Sequence, residues 1–312
     1  MLLGVTSPLM TPEENDSVMK NKIEEYKIIK NQYKSILSSQ TSEIKEISEV
    51  LRVIDNDVKR TDRNLPQFQD DNHPNLNLLR NVLACYALYN KDTEYVQGMG
   101  DYLSPLIVLY IKEWENEETA IFFEKGKVTR DAAEAFLFWL LCGILSITQQ
   151  DRMFADLAGV QQFVVDRVLA ISTMYHSSLK KWITKNNLGS LVFLYRPIIL
   201  LCKREFPMAI VLRIWDSFLS HPKTYAFTRF FLAGLLIELF PYLMMQTNGC
   251  AGDVMNLTDR IIGTIDGMAT LNLAVELEEI CQTGNRQLEW ILEELPDKTE
   301  IRDYQPKLLK LK

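Results

Sequence analysis

Histidine is scarce in this 312-residue chain: His73, His176 and His221 are the only three. The five cysteines (Cys85, Cys142, Cys202, Cys250 and Cys281) stand far apart in apolar runs, with no Cys-x-x-Cys pair. A zinc centre needs such ligands gathered at short spacing, so none is expected. Buried reduced thiols of a cytosolic protein are the expectation instead. A glycine-rich GxxxxGK[ST] phosphate loop is also missing, so the chain is expected to hold no nucleotide or other cofactor of its own. An excess of basic residues is lacking too. Lys and Arg number 34 against 41 Asp and Glu, for a net charge of −7, which argues against general nucleic-acid binding. The opening Met1-Leu2-Leu3-Gly4-Val5 has neither a basic n-region nor a long apolar one, so it does not read as a secretion signal. The most apolar stretch, Phe230 to Met245, is interrupted by Glu238 and Pro241. At 16 residues it is short for a membrane span and reads as a buried helix.

Strand-like alternation bounded by Asn-Gly turns is not found, nor is a fixed internal period. Helical periodicity fills the sequence. Thr11-Pro12-Glu13-Glu14 has a capping threonine, a proline at the first helical position and a glutamate three residues on. A charged helix is expected to follow, with a linker at 38–42. Ile44, Ile47, Val50, Leu51, Ile54 and Val58 recur at three- and four-residue steps and mark one helix face. Residues 64–74 are polar, with two prolines, and read as a loop. Leu76, Leu79, Val82, Leu83 and Tyr86 mark the next helix. Further helical runs are expected at 103–113, 132–147, 160–174, 190–204, 208–219, 226–245 and 254–281. The sequence after Leu295 is charged and Lys-rich at its end, and is expected to be partly ordered at best. The pattern predicts an all-α fold of many short helices in two lobes, residues 1–170 and 171–312.

Two segments do not fit a core. In Ile54-Asp55-Asn56-Asp57-Val58-Lys59-Arg60, Asp57 and Arg60 are three apart and meet on one helix side. The carboxylate can orient the guanidinium, and the helix runs out just beyond. In Tyr95-Val96-Gln97-Gly98-Met99, a glutamine beside a glycine can accept from a water and donate to a phosphate oxygen at once. Taken singly, each segment also reads as ordinary surface: a weak ion pair and a polar loop residue. Taken together, they answer two needs of GTP hydrolysis. These are a positive group on the transferring phosphoryl and a group that orients the attacking water.

The spacing Ile54-x-x-Asp57-x-x-Arg60, then Tyr95-x-Gln97, with Gln97 37 positions after Arg60, resembles the TBC domain of Rab GTPase-activating proteins. So does an ordered series of further segments: Leu2-Leu3-Gly4-Val5, Arg60-Thr61, Asn75-Leu76 through Leu79-Arg80-Asn81, Ser104-Pro105-Leu106, Arg204-Glu205-Phe206 and Leu212-Arg213-Ile214-Trp215-Asp216. The resemblance spans about residues 2–245. It implies a V-shaped pair of helical lobes, the first carrying an arginine finger, Arg60, and a glutamine finger, Gln97. Asp57 would position Arg60, and Tyr95 and Gly98 would support the Gln97 loop. The partner implied is a GTP-bound Rab-type small GTPase, which itself binds GTP and Mg²⁺. On this reading the chain is not a stand-alone enzyme. It is cytoplasmic and peripheral to Rab-bearing membranes. The alternatives are a catalytically silent Rab-binding module and a helical scaffold.

The sequence departs from that family at three places. The usual early Arg-x-x-Trp is missing and the chain starts where that motif ends, so a longer protein is expected. Glu94 stands where glycine is frequent, which would hold the loop differently. Pro197 stands where tryptophan is frequent, and a proline would kink the expected 190–204 helix.

Overall fold

The computed structural model describes residues 9–39, 45–90, 95–283 and 290–296. The linker expected at 38–42, Glu94, and the tail after Pro296 lie wholly or partly outside the described residues. The chain divides into two compact units, residues 1–146 and 147–312. The sequence reading had placed the lobe boundary at 170/171. The fold is all-α apart from one small sheet.

Unit 1 is built from α1 (Pro12–Ser39), α2 (Lys45–Val58), α3 (Pro66–Gln69), α4 (Pro74–Tyr89), α5 (Gly100–Tyr110), strands β1 (Ile111–Asn116), β2 (Thr119–Phe122) and β3 (Gly126–Thr129), and α6 (Arg130–Ile147). The capping box forms reciprocally at the start of α1. Thr11 N–H donates to Glu14 Oε2 at 2.8 Å and Glu14 N–H to Thr11 Oγ1 at 3.2 Å. Helices α1 and α2 both pack on α4. Their predicted apolar stripes supply the core with Ile54 and Val58 from α2 and Leu79, Val82 and Leu83 from α4. The loop expected at 64–74 contains the single turn α3.

The helical run expected at 103–113 stops at Tyr110, and residues 111–129 form an antiparallel meander in the order β1-β2-β3. Its signal was hidden because only β2 alternates in burial, over four residues, while β1 is mostly exposed. The sheet is seated by Phe122, whose ring meets Phe136 at 5.6 Å, and by Trp114, whose Nε1 donates to Asn75 Oδ1 at 2.7 Å.

Unit 2 comprises α7 (Gln150–Ala155), α8 (Leu157–Tyr175), α9 (Ser177–Lys185), α10 (Tyr195–Ile199), α11 (Met208–Ser220), α12 (Thr224–Gln246), α13 (Ala251–Ile261) and α14 (Gly267–Thr283). Helix α12 is the only described one long and apolar enough to cross a membrane by length and composition, and 78% of that window is buried within the fold. It packs on α8, α11, α13 and α14, with Phe230, Phe231, Leu235 and Leu239 fully enclosed. That burial is the work of a core helix.

Two other expected helices are divided. The 190–204 run becomes a 3₁₀ turn at Val192–Leu194, the short α10, and a turn in which Leu201 and Cys202 adopt φ of 46° and 58°. Pro197 falls in the first turn of α10, where a backbone amide has no helical partner, so it kinks nothing. The 254–281 run breaks between α13 and α14. At Gly267 a Cβ would come within 2.9 Å of Ile210 Cγ2, so the chain turns where only glycine allows this approach to α11. Helices α7 and α9 were not anticipated. Of the thiols, Cys85 and Cys202 are buried as expected, but Cys142 and Cys281 are half-buried and Cys250 is exposed.

One polar cluster fastens unit 1. Glu134 on α6 is fully buried, and its carboxylate takes Lys30 Nζ at 2.6 Å, Tyr26 OH at 2.9 Å and Asn81 Nδ2 at 2.9 Å. Burial works against the Lys30 charge, yet the Glu134 and Asp131 carboxylates outweigh it and raise the amine above its ordinary value. Removing one partner of such a pair strands the other without solvent. Lys30→Met is expected to destabilise the protein by about 3–5 kcal/mol in urea unfolding. Lys27→Met, which breaks only the exposed Lys27–Glu24 pair, should leave the midpoint unchanged. Equal effects of the two would refute this account of the cluster.

Candidate functional site

Helix α2 ends at Val58, and the next residues wind on as a tight turn: Arg60 N–H donates to Asp57 C=O at 2.9 Å. Helix α2 itself is held in place through Arg80 of α4, which binds Asp55 through Nε at 2.5 Å and reaches Tyr33 of α1. Arg60 therefore stands at the end of an anchored helix, with 63% of its side chain exposed. Its guanidinium is directed by two bonds, Nη2 to Asp57 Oδ1 at 2.9 Å and Nε to the Asn56 carbonyl at 3.1 Å. A pair this exposed adds well under about 1 kcal/mol to stability. Its consequence is orientation.

Asp57 itself is buried, at 7% exposure. Its second oxygen faces the other segment. Tyr95 OH donates to Asp57 Oδ2 at 2.6 Å and Gly98 N–H to the same oxygen at 2.8 Å. Burial first, then the Asp57 carboxylate, pushes the Tyr95 phenol well above its usual range, so it stays a proton donor at any physiological pH. Gly98 has φ of 102°, which L side chains rarely adopt. Its amide faces Asp57, while Gln97, immediately before it, is exposed. Helix α5 then starts at Gly100.

The five residues singled out from the sequence thus fall in one place. Arg60 is bonded to the Asp57 carboxylate, Tyr95 and Gly98 are bonded to its other oxygen, and Gln97 lies between those two. Sequence reasoning missed a close approach of the two segments beside this carboxylate. Thr61 Oγ1 donates to Asp57 C=O at 2.9 Å, and a Cβ on Gly100 would lie 3.2 Å from that hydroxyl. The only trace of this approach was the Arg60-Thr61 dipeptide. Asn75 was also unassigned. It joins the polar loop after Arg60 to the meander, donating to Gln67 C=O at 3.1 Å while accepting from Trp114.

Comparison with known proteins adds the ancestry. Residues 3–244 match the model of the Rab-GTPase-TBC domain. The chain belongs to that family. Human TBC1 domain family member 17 is 31% identical over 215 residues, which cover 69% of this chain and 30% of that protein. The GTPase-activating protein GYP7 of Saccharomyces cerevisiae is 26% identical over 176 residues, 56% of this chain and 20% of that protein. The chain thus matches less than a third of the length of these curated relatives. Among solved structures, the Ypt/Rab-GAP domain of Gyp1p superposes with a TM-score of 0.67 at 19% identity, covering 89% of this chain and 84% of that one. At that identity the likeness concerns the TBC fold.

The shared carboxylate makes Asp57 and Tyr95 energetically coupled. Asp57→Asn and Tyr95→Phe are each expected to lower stability by about 1.5–3 kcal/mol, the range for a hydrogen bond to a charged group. The double variant should fall short of their sum by at least about 1 kcal/mol. Strict additivity in a urea-unfolding cycle would mean that the phenol and the carboxylate do not act on each other.

Proposed function

We propose that this TBC domain activates a Rab-type small GTPase in its GTP-bound state by lending it Arg60 and Gln97. The single observation that carries the reading is the divided Asp57 carboxylate. One oxygen orients an exposed arginine, and the other fixes the glycine next to an exposed glutamine. Phosphoryl transfer asks for groups held in place before the reaction begins, and the two segments meet that requirement jointly. GTP and Mg²⁺ belong to the partner, so this chain completes an active site and contains no whole one. Its place of action follows from the partner: the cytoplasmic surface of Rab-bearing membranes, reached through the Rab.

The chemistry divides between the two side chains. The Arg60 guanidinium neutralises charge that develops on the γ-phosphoryl and the leaving oxygen, an effect of about 10³–10⁵ in rate for arginine fingers. Gln97 orients the attacking water, accepting from it through the amide oxygen while the amide nitrogen donates to a phosphoryl oxygen. Only one amide fits within hydrogen-bond reach of that water, so the GTPase's own glutamine is turned aside.

Single-turnover phosphate release, with the GTPase that responds best in a Rab panel, tests both assignments. Arg60→Lys keeps the charge but loses the planar fork, and is expected to remove about 10³-fold or more of the acceleration with unchanged thermal unfolding. Near-normal activity would sink the role given to Arg60. For Gln97, a two-by-two comparison pairs wild type and Gln97→Ala with the normal GTPase and one whose own glutamine is leucine. The leucine form should keep a substantial part of its response, and Gln97→Ala should lose activity on both. A response abolished by the leucine change and indifferent to Gln97→Ala would leave Gln97 a loop residue. A chain that binds the GTP form without accelerating it would be the silent module.

A further inference from the structure

Unit 2 encloses two arginines, Arg167 on α8 at 0% exposure and Arg229 on α12 at 1%. A guanidinium at that depth is costly unless acceptors meet it. Arg167 Nη1 donates to the Phe163 carbonyl of its own helix at 3.0 Å, and further acceptors come from a short segment late in the chain. Arg229 Nη1 donates to the carbonyls of Ile291 and Glu293, both at 2.7 Å. Arg167 Nη2 donates to Glu293 Oε2 at 2.8 Å, and its guanidinium lies 5.0 Å from the Trp290 ring centre. Ile291 and Leu295 are buried as apolar anchors, at 0% and 4% exposure. The segment is one turn at 290–292 and then irregular to Pro296. The carbonyls of Ile291, Glu293 and Leu295 are met by arginine side chains, where a helix or sheet would have met them with backbone amides.

An aromatic over a guanidinium, carbonyls read by an arginine, a paired carboxylate and two apolar anchors are the elements of linear-segment recognition. The far end of the contact is equally specific. Leu295 N–H donates to Gln149 Oε1 at 2.8 Å, and Leu295 C=O accepts from Arg152 Nη1 at 2.5 Å. Gln149 opens unit 2 just before α7 and has a left-handed φ of 59°, an uncommon conformation for a residue with a side chain.

We propose that α7, α8 and α12 form a peptide-recognition cleft whose occupant is the chain's own segment Trp290–Leu295, and that its docking fixes the backbone where unit 2 begins. The occupant lies beyond the stretch that matches the family, 3–244. The cleft reads an aromatic at the first position, a β-branched or other aliphatic at the second, an acid at the fourth and leucine at the sixth.

The test keeps the full chain. Ile291→Asp with Glu293→Lys unseats the occupant and leaves the cleft residues in place. A fluorescent synthetic peptide with the sequence of Trp290–Pro296 should then bind at least about tenfold tighter than it binds wild type, where the tethered segment competes at high effective concentration. Adding Arg229→Met should abolish that gain. No gain in the folded double variant would overturn the proposal. Should that variant not fold, hydrogen exchange of the wild type decides. The Leu295 amide and those of residues 147–152 should exchange together, in an opening that leaves α12 protected. Exchange of all of them only with α12 would make the segment a fixed part of the core and the proposal wrong.

Discussion

The Asp57 carboxylate binds two segments that the sequence keeps far apart. Oδ1 takes the Arg60 guanidinium, and Oδ2 takes the Tyr95 hydroxyl and the Gly98 amide. A buried anion cannot be left half-satisfied, because an unmet lone pair at that depth costs more than the bond returns. The end of α2 and the start of α5 must therefore meet at one geometry. Most of unit 1 enforces it: Arg80 ties α2 to α4, and the Lys30–Glu134 cluster ties α1 to α6. Removing Asp57 would leave both segments anchored to their own helices but would free each from the other.

This arrangement suits the proposed action on another protein's nucleotide. Arg60 and Gln97 are both exposed, as the proposed service to a partner requires. Behind them Asp57 and Tyr95 are buried and bonded to each other, and Asp57 also takes Arg60 and the Gly98 amide. Burial and the Asp57 carboxylate raise the Tyr95 phenol well above its usual range, which keeps its proton on the donor side. Unit 2 uses the same principle for a different end: buried charge, met by a short segment of one turn and irregular backbone.

Much of this was legible in the sequence. The amphipathic stripe from Ile44 to Val58 gave α2, and the three-residue step from Asp57 to Arg60 gave their contact. The aromatic-rich run at 226–245 gave the core helix α12. What escaped reading depended on tertiary partners. The meander at 111–129 alternates over only four residues of β2, because β1 and β3 lie mostly exposed. The run at 190–204 is apolar enough for one helix, but Leu201 and Cys202 turn left-handed. The break at Gly267 reflects the nearness of Ile210, 57 residues earlier in the chain. At the site, the glycine beside Gln97 is expected from the resemblance to support the loop, but the means, an amide whose acceptor lies 41 residues away, is a pairing no local pattern encodes.

If Arg60 and Gln97 act on the transition state, their binding energy should appear only when the phosphoryl is planar. The measurement is the affinity of the chain for a responsive Rab-type GTPase carrying GDP, with and without a planar fluoride mimic of the transferring group. The account predicts weak binding to the GDP form and binding at least about 100-fold tighter with the mimic, the lower end for transition-state analogues, with that gain lost in Arg60→Ala. Equal affinity for the two states, or a gain indifferent to Arg60, would contradict it.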